Sequence, residues 1–81
     1  MKLLDRLELK AAKYSVDVDY DGNEVVLVCP DGYVFDKGTP TEIYHPWDGT
    51  PAVAMLWKAL AEIDDLGSGI IPETEAFGQP L

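Results

Sequence analysis

A chain of 81 residues fits one domain, and a hydrophobic content of 47% places it well above the range of disordered segments. A single cysteine, Cys29, permits no internal disulfide and argues against a secreted disulfide scaffold. With 15 carboxylates against 6 basic residues and a net charge of −9, the chain is unsuited to bind nucleic acid directly, because that requires lysine and arginine to neutralise phosphates, or to bind anionic membranes.

No apolar run reaches the ~20 residues of a membrane span. Lys2, Asp5 and Arg6 interrupt the N-terminus before the apolar core of a signal peptide can form. The expectation is a soluble, cytoplasmic protein.

From the N-terminus, Leu3, Leu4, Leu7, Ala11 and Tyr14 recur at spacings of three and four and predict a helix over Lys2–Tyr14, with Leu9 off the stripe. Tyr14 to Asp21 then alternates apolar and polar residues, the period of a strand with one buried face. Val16, Val18 and Tyr20 point to the core, and Asp17, Asp19 and Asp21 point away. Asp21-Gly22-Asn23 supplies a hairpin turn. Glu24–Cys29 is apolar on both faces, which suits a central strand.

Pro30-Asp31-Gly32 makes a second turn, Tyr33–Asp36 a third strand, and Thr41–His45 a short fourth, ended by Pro46. A second helix is marked by Thr50 as N-cap and Pro51 at the first helical position. Its predicted stripe is Val53, Leu56, Trp57, Leu60 and Ile63, and Gly67 is its predicted stop. Residues 1–66 read as one α+β domain. Residues 67–81 read as an irregular tail whose Ile70, Ile71, Phe77 and Leu81 are available to dock on the body. The expected architecture is a two-layer sandwich, an antiparallel meander of three to four strands with both helices packed on one face.

Hairpin register decides what the other face carries. A two-residue loop sends Val25, Leu27 and Cys29 to the core and leaves Val26 and Val28 beside Asp17 and Asp19. A three-residue loop exchanges the two sets. Either way apolar residues sit beside a row of aspartates, and three occupants compete for that face: the tail, a protein partner or a second copy, or water alone.

The run Asp17 to Asn23 opens like an EF-hand calcium loop, but the twelfth position, which needs a bidentate glutamate, is Val28. The pattern is therefore read as carboxylates on the solvent side of a strand, with no metal site. His45 has no second ligand at zinc spacing. Cys29 lies on a strand without nearby positive charge to activate it. Tyr44 and Trp47 form an aromatic loop suited either to anchor a partner or to plug the core. Asp64 and Asp65, near the end of the second helix, oppose its dipole.

No catalytic constellation and no cofactor motif stands out. The expectation is a non-enzymatic, acidic protein-binding module that engages a basic partner, with Asp17, Asp19, Asp21, Glu24 and Asp31 as one patch, Glu62, Asp64 and Asp65 as another, and Tyr44 and Trp47 as aromatic anchors. One concrete form is a small inhibitor of the kind phages and mobile elements encode, occupying the channel of a nucleic-acid-binding protein as a DNA mimic. The alternative is a homo-oligomeric assembly protein, a homodimer in its simplest form, that uses the second face of its sheet.

Overall fold

The computed structural model describes residues 2–36 and 39–76. Among them the chain has α+β character, with three helices and five strands: α1 (Leu3–Ala12), β1 (Asp17–Tyr20), β2 (Val25–Val28), β3 (Tyr33–Val34), β4 (Thr41–Tyr44), α2 (Ala52–Ser68), β5 (Ile71–Pro72) and α3 (Glu73–Ala76). β1, β2 and β4 form an antiparallel sheet in that order, and β3 pairs with β5 in a separate antiparallel ribbon.

α1 forms on the predicted stripe, burying Leu7 and Ala11 completely, with Leu3, Leu4 and Tyr14 packed at the margin. Leu9 is exposed. The helix stops sooner than its pattern. The Val16 N–H reaches back to the Ala11 carbonyl at 3.0 Å and the Ser15 N–H to that of Ala12 at 3.1 Å, the paired bonds of a Schellman ending. Ser15 takes the left-handed conformation there, φ 60°, where glycine is the usual occupant. This reversal occupies residues 13–15, so the alternating run forms a strand only over Asp17–Tyr20.

The β1–β2 hairpin pairs Tyr20 with Val25 and Val18 with Leu27. Four residues, Asp21 to Glu24, make its loop, and an even loop has the parity of the two-residue case. Val25, Leu27 and Cys29 are accordingly buried, and Val26 and Val28 share the opposite face with Asp17 and Asp19. Asp21 builds the turn from its own side chain, Oδ1 accepting the N–H of Asn23 at 2.8 Å and of Glu24 at 3.0 Å. Gly22 carries the positive φ of 92° that the turn requires.

The third strand differs from expectation. Only Tyr33–Val34 is a strand, and it pairs with Ile71–Pro72 outside the main sheet. β4 takes the place beside β2 instead, with Val25 opposite Tyr44 and Val26 opposite Ile43. The chain leaves the sheet at Pro30, whose carbonyl accepts the Tyr33 N–H at 3.1 Å. It returns after Phe35 N–H bonds the Thr39 carbonyl at 2.7 Å. Phe35, 1% exposed, stays in the core during this excursion. The main sheet thus has three strands, and the described part of the tail forms β5 and α3. Its described part pairs with β3 through Ile71, and Ile70 packs on the core. Phe77 and Leu81 lie outside the described residues.

α2 departs from expectation at both ends and along its length. Pro51, not Thr50, stands at the N-cap position, with extended φ −68° and ψ 150°, and no side chain caps the helix. The buried stripe is Met55, Leu56, Ala59, Leu60, Ile63 and Gly67. Val53 and Trp57 are about half exposed, at 47% and 53%. At 100° per residue, the buried face is centred on the row through Met55, Ala59 and Ile63, well over a quarter turn from Trp57.

Gly67 does not stop the helix; it lets α1 approach. A Cβ at this position would run into Cγ, Cδ1 and Cδ2 of the Tyr14 ring. Held there, the Tyr14 hydroxyl donates to Asp64 Oδ1 at 2.8 Å, and Lys10 Nζ meets Oδ2 of the same carboxylate at 3.0 Å. Leu7, Ala11, Val25, Leu27, Tyr44, Met55 and Ile63 belong to one buried cluster drawn from both helices and the sheet.

Three substitutions test these contacts by chemical denaturation. Glycine-to-alanine changes inside a helix ordinarily stabilise by up to about 1 kcal/mol. Gly67→Ala is expected instead to destabilise by about 1–3 kcal/mol, the cost of overpacking, while Gly69→Ala, where a Cβ finds only ordinary contacts, should be close to neutral. Ser15→Gly should stabilise by about 0.5–1 kcal/mol, since it relieves the left-handed strain at the cost of a more flexible unfolded chain.

Candidate functional site

The face of the sheet opposite Val25 and Leu27 is built from two cross-strand rows. Register places Asp19, Val26 and Ile43 side by side in one, and Asp17, Val28 and Thr41 in the other. The two aspartates are exposed on the outer strand, the two valines are half-buried at the centre, and Ile43 is 48% exposed on the far strand. This combination of an apolar strip with a carboxylate margin follows directly from the even hairpin loop. The sequence marks Thr41 and Ile43 as part of a short fourth strand but does not place them on this face. Alternation with Tyr44 could have signalled Ile43, but its neighbours depend on β4 replacing β3 beside β2.

The other carboxylates of this patch lie at its ends. Asp21 and Glu24 occupy the hairpin turn. The two backbone N–H groups, that of Asn23 first and that of Glu24 second, hold the Asp21 carboxyl below its ordinary range. Glu24 Oε1 lies 3.6 Å from His45 Nδ1. Asp31 is exposed in the turn at the opposite end of β2.

The second group divides differently. Asp64 is engaged within the chain, and its carboxyl is held low by the Tyr14 hydrogen bond first and Lys10 second. The same bond pushes the Tyr14 hydroxyl upward. Asp64 and Asp65 stand one turn inside the helix end, because α2 runs to Ser68, so the dipole penalty is smaller than their sequence position implied. Glu62 accepts a 2.6 Å hydrogen bond from the Tyr44 hydroxyl. Tyr44 is buried, 6% exposed, and serves the core.

Trp47 is 56% exposed with the Lys58 ammonium 5.9 Å from its ring centre, and Trp57 receives the Arg6 guanidinium at 5.6 Å. Of the carboxylates that the sequence singles out for a partner, those of Asp17, Asp19, Asp31 and Asp65 are exposed without a hydrogen bond within the described residues.

The basic residues are just as unevenly placed. Lys2, Arg6, Lys10 and Lys13 all precede Tyr14. From Tyr14 onward, thirteen carboxylates face only Lys37 and Lys58. The chain is an acidic body carrying one locally basic helix.

Cys29 is buried, and desolvation pushes its thiol up, away from the thiolate form. Among the described residues no three His, Cys, Asp or Glu side chains are grouped to hold a metal ion. Also among them, no helix is long and apolar enough to cross a membrane. Comparison with protein-family models, curated protein sequences and solved structures finds no match to this chain.

The Tyr44–Glu62 bond has a pH signature. Burial first, and the bond to Glu62 second, raise the Tyr44 hydroxyl far above its ordinary value of 10.0. Its stabilising effect is complete below that pH and is lost as pH rises beyond it. Tyr44 should therefore form tyrosinate only together with unfolding, so that its absorbance step coincides with loss of the circular dichroism signal. Tyr44→Phe should remove that coincident step and, at neutral pH, cost about 1–2 kcal/mol, as expected for loss of a hydrogen bond to a charged group.

Proposed function

We propose that this chain is a non-enzymatic, acidic binding module that engages a basic protein surface through the outer face of its three-stranded sheet. The reading takes the molecule as a two-layer sandwich, with α1 and α2 on one face and the other left to a partner. It also takes the protein as cytoplasmic. The observation that carries it is the pair of rows Asp19-Val26-Ile43 and Asp17-Val28-Thr41. They join an apolar strip, which supplies contact area, to exposed carboxylates that steer and orient an oppositely charged surface.

The partner class that matches is a protein surface rich in lysine and arginine, as surfaces that bind nucleic acid are. A module of this kind would act as an inhibitor by occupying such a surface as a DNA mimic. Self-association through the same face is disfavoured in any arrangement that brings the aspartates of two copies together.

The test is titration against a lysine-rich DNA-binding protein. Association is expected at about 50 mM salt and should weaken at least tenfold by about 200 mM, as screening requires. Duplex DNA should compete for the same partner. Asp17→Lys combined with Asp19→Lys should abolish binding while melting like the parent, and Asp48→Lys, in the connection between β4 and α2 and outside both rows, should leave it within about twofold. Absence of binding at low salt, or full binding by the double variant, overturns the proposal.

A further inference from the structure

β1 is an edge strand of the main sheet: among the described residues β2 is its one strand neighbour, and its other long edge has none. Along that edge runs an open groove of about 460 Å³, lined by Ser15, Val16, Asp17 and Val18 and, from α1, by Glu8 and Ala12. Consecutive strand residues point to opposite faces. Asp17 and Val18 belong to β1, point to opposite faces and both line this space, so it borders the strand's edge, where backbone N–H and C=O groups without a strand partner are presented.

Resting on the acidic-module reading and deepening it, we propose that this edge receives an extended, lysine- or arginine-bearing segment of the partner, added as a fourth strand beside β1. The lining side chains include two carboxylates, Glu8 and Asp17, and no cation. Asp19 continues the same row one pleat further along. In an added strand, alternate side chains lie on the face of Asp17 and Asp19, at cross-strand distance where opposite charges attract. The intervening ones lie toward Glu8 and Ala12, where small residues fit.

A second copy is the wrong occupant. Antiparallel pairing of β1 with itself would put two aspartate rows on one face, and like charges directly opposite destabilise a ladder. Main-chain bonds would supply affinity and the alternating cations specificity, the division found in strand addition generally.

The experiment uses an eight-residue peptide alternating lysine and threonine, a glutamate-for-lysine control, and two forms of the lysine peptide N-methylated on alternate amides, one in each register. Binding is followed by amide NMR of the full chain. The lysine peptide is expected to bind, to shift resonances of Glu8, Ala12 and residues 15–20, and to slow amide exchange on β1 at least tenfold. One methylated form should lose at least tenfold in affinity, because its methyl groups occupy the edge that must bond β1. The other should bind within about threefold of the parent.

If both methylated forms bind like the parent, or if the shifts fall outside α1 and β1, strand addition is overturned while the acidic-module reading stands. Equal binding of the glutamate peptide overturns the charge complementarity. Failure of any lysine peptide to bind at about 50 mM salt overturns strand addition, and if the lysine-rich protein also fails to bind there, the module reading falls with it.

Discussion

The four-residue connection from Asp21 to Glu24 governs what every residue of the central sheet faces. Side chains alternate with a period of two, so adding or removing one residue in that loop would send Val25 and Leu27 outward and bring Val26 and Val28 in. Asp21 holds the count by accepting two backbone N–H groups on one oxygen. Gly22 supplies a conformation that side chains resist. The acidic rows on the outer face are a consequence of this turn, and so is the depth to which the core can fill.

The other governing contact is between the helices. Gly67 lacks the Cβ that would strike Tyr14, so α1 and α2 close to the distance at which Tyr14 and Lys10 both reach Asp64. The ion pair with Lys10 is exposed on both sides and adds little by itself. What matters is that Tyr14 is anchored immediately before Ser15 reverses the chain. The end of α1 and the start of β1 are set by one sequence of contacts from Ala11 to Val16.

These contacts also sort the charges. Asp21, Glu62 and Asp64 spend oxygen atoms on the fold, while the side chains of Glu8, Asp17 and Asp19 make no hydrogen bond among the described residues. A net charge of −9 opposes compaction, and placing free carboxylates on an outer strand spreads that repulsion at a surface where water screens it. The same placement protects the open edge of β1 from pairing with another copy, as charged edge residues do in other sheets.

The sequence alone determined the features that depend on local periodicity: α1 with Leu7 and Ala11 inside, the alternation of Asp17 and Asp19 with Val18 and Tyr20, and the apolar centre of β2. Four of the six residues of the candidate site's two rows, Asp17, Asp19, Val26 and Val28, were legible for that reason, once an even loop is granted. Tertiary structure decided what periodicity cannot express. Ile43 joins the site because β4, not β3, lies beside β2. Val53 and Trp57 are left in solvent because α2 turns its small residues Ala59 and Gly67 inward, and bulk gives way to close approach. Tyr44, Glu62 and Asp64 are drawn into internal bonds by partners 18 to 54 positions away. A pattern along the chain states which residues can share a face; which face is covered, and by what, depends on elements far away in sequence that must first find each other.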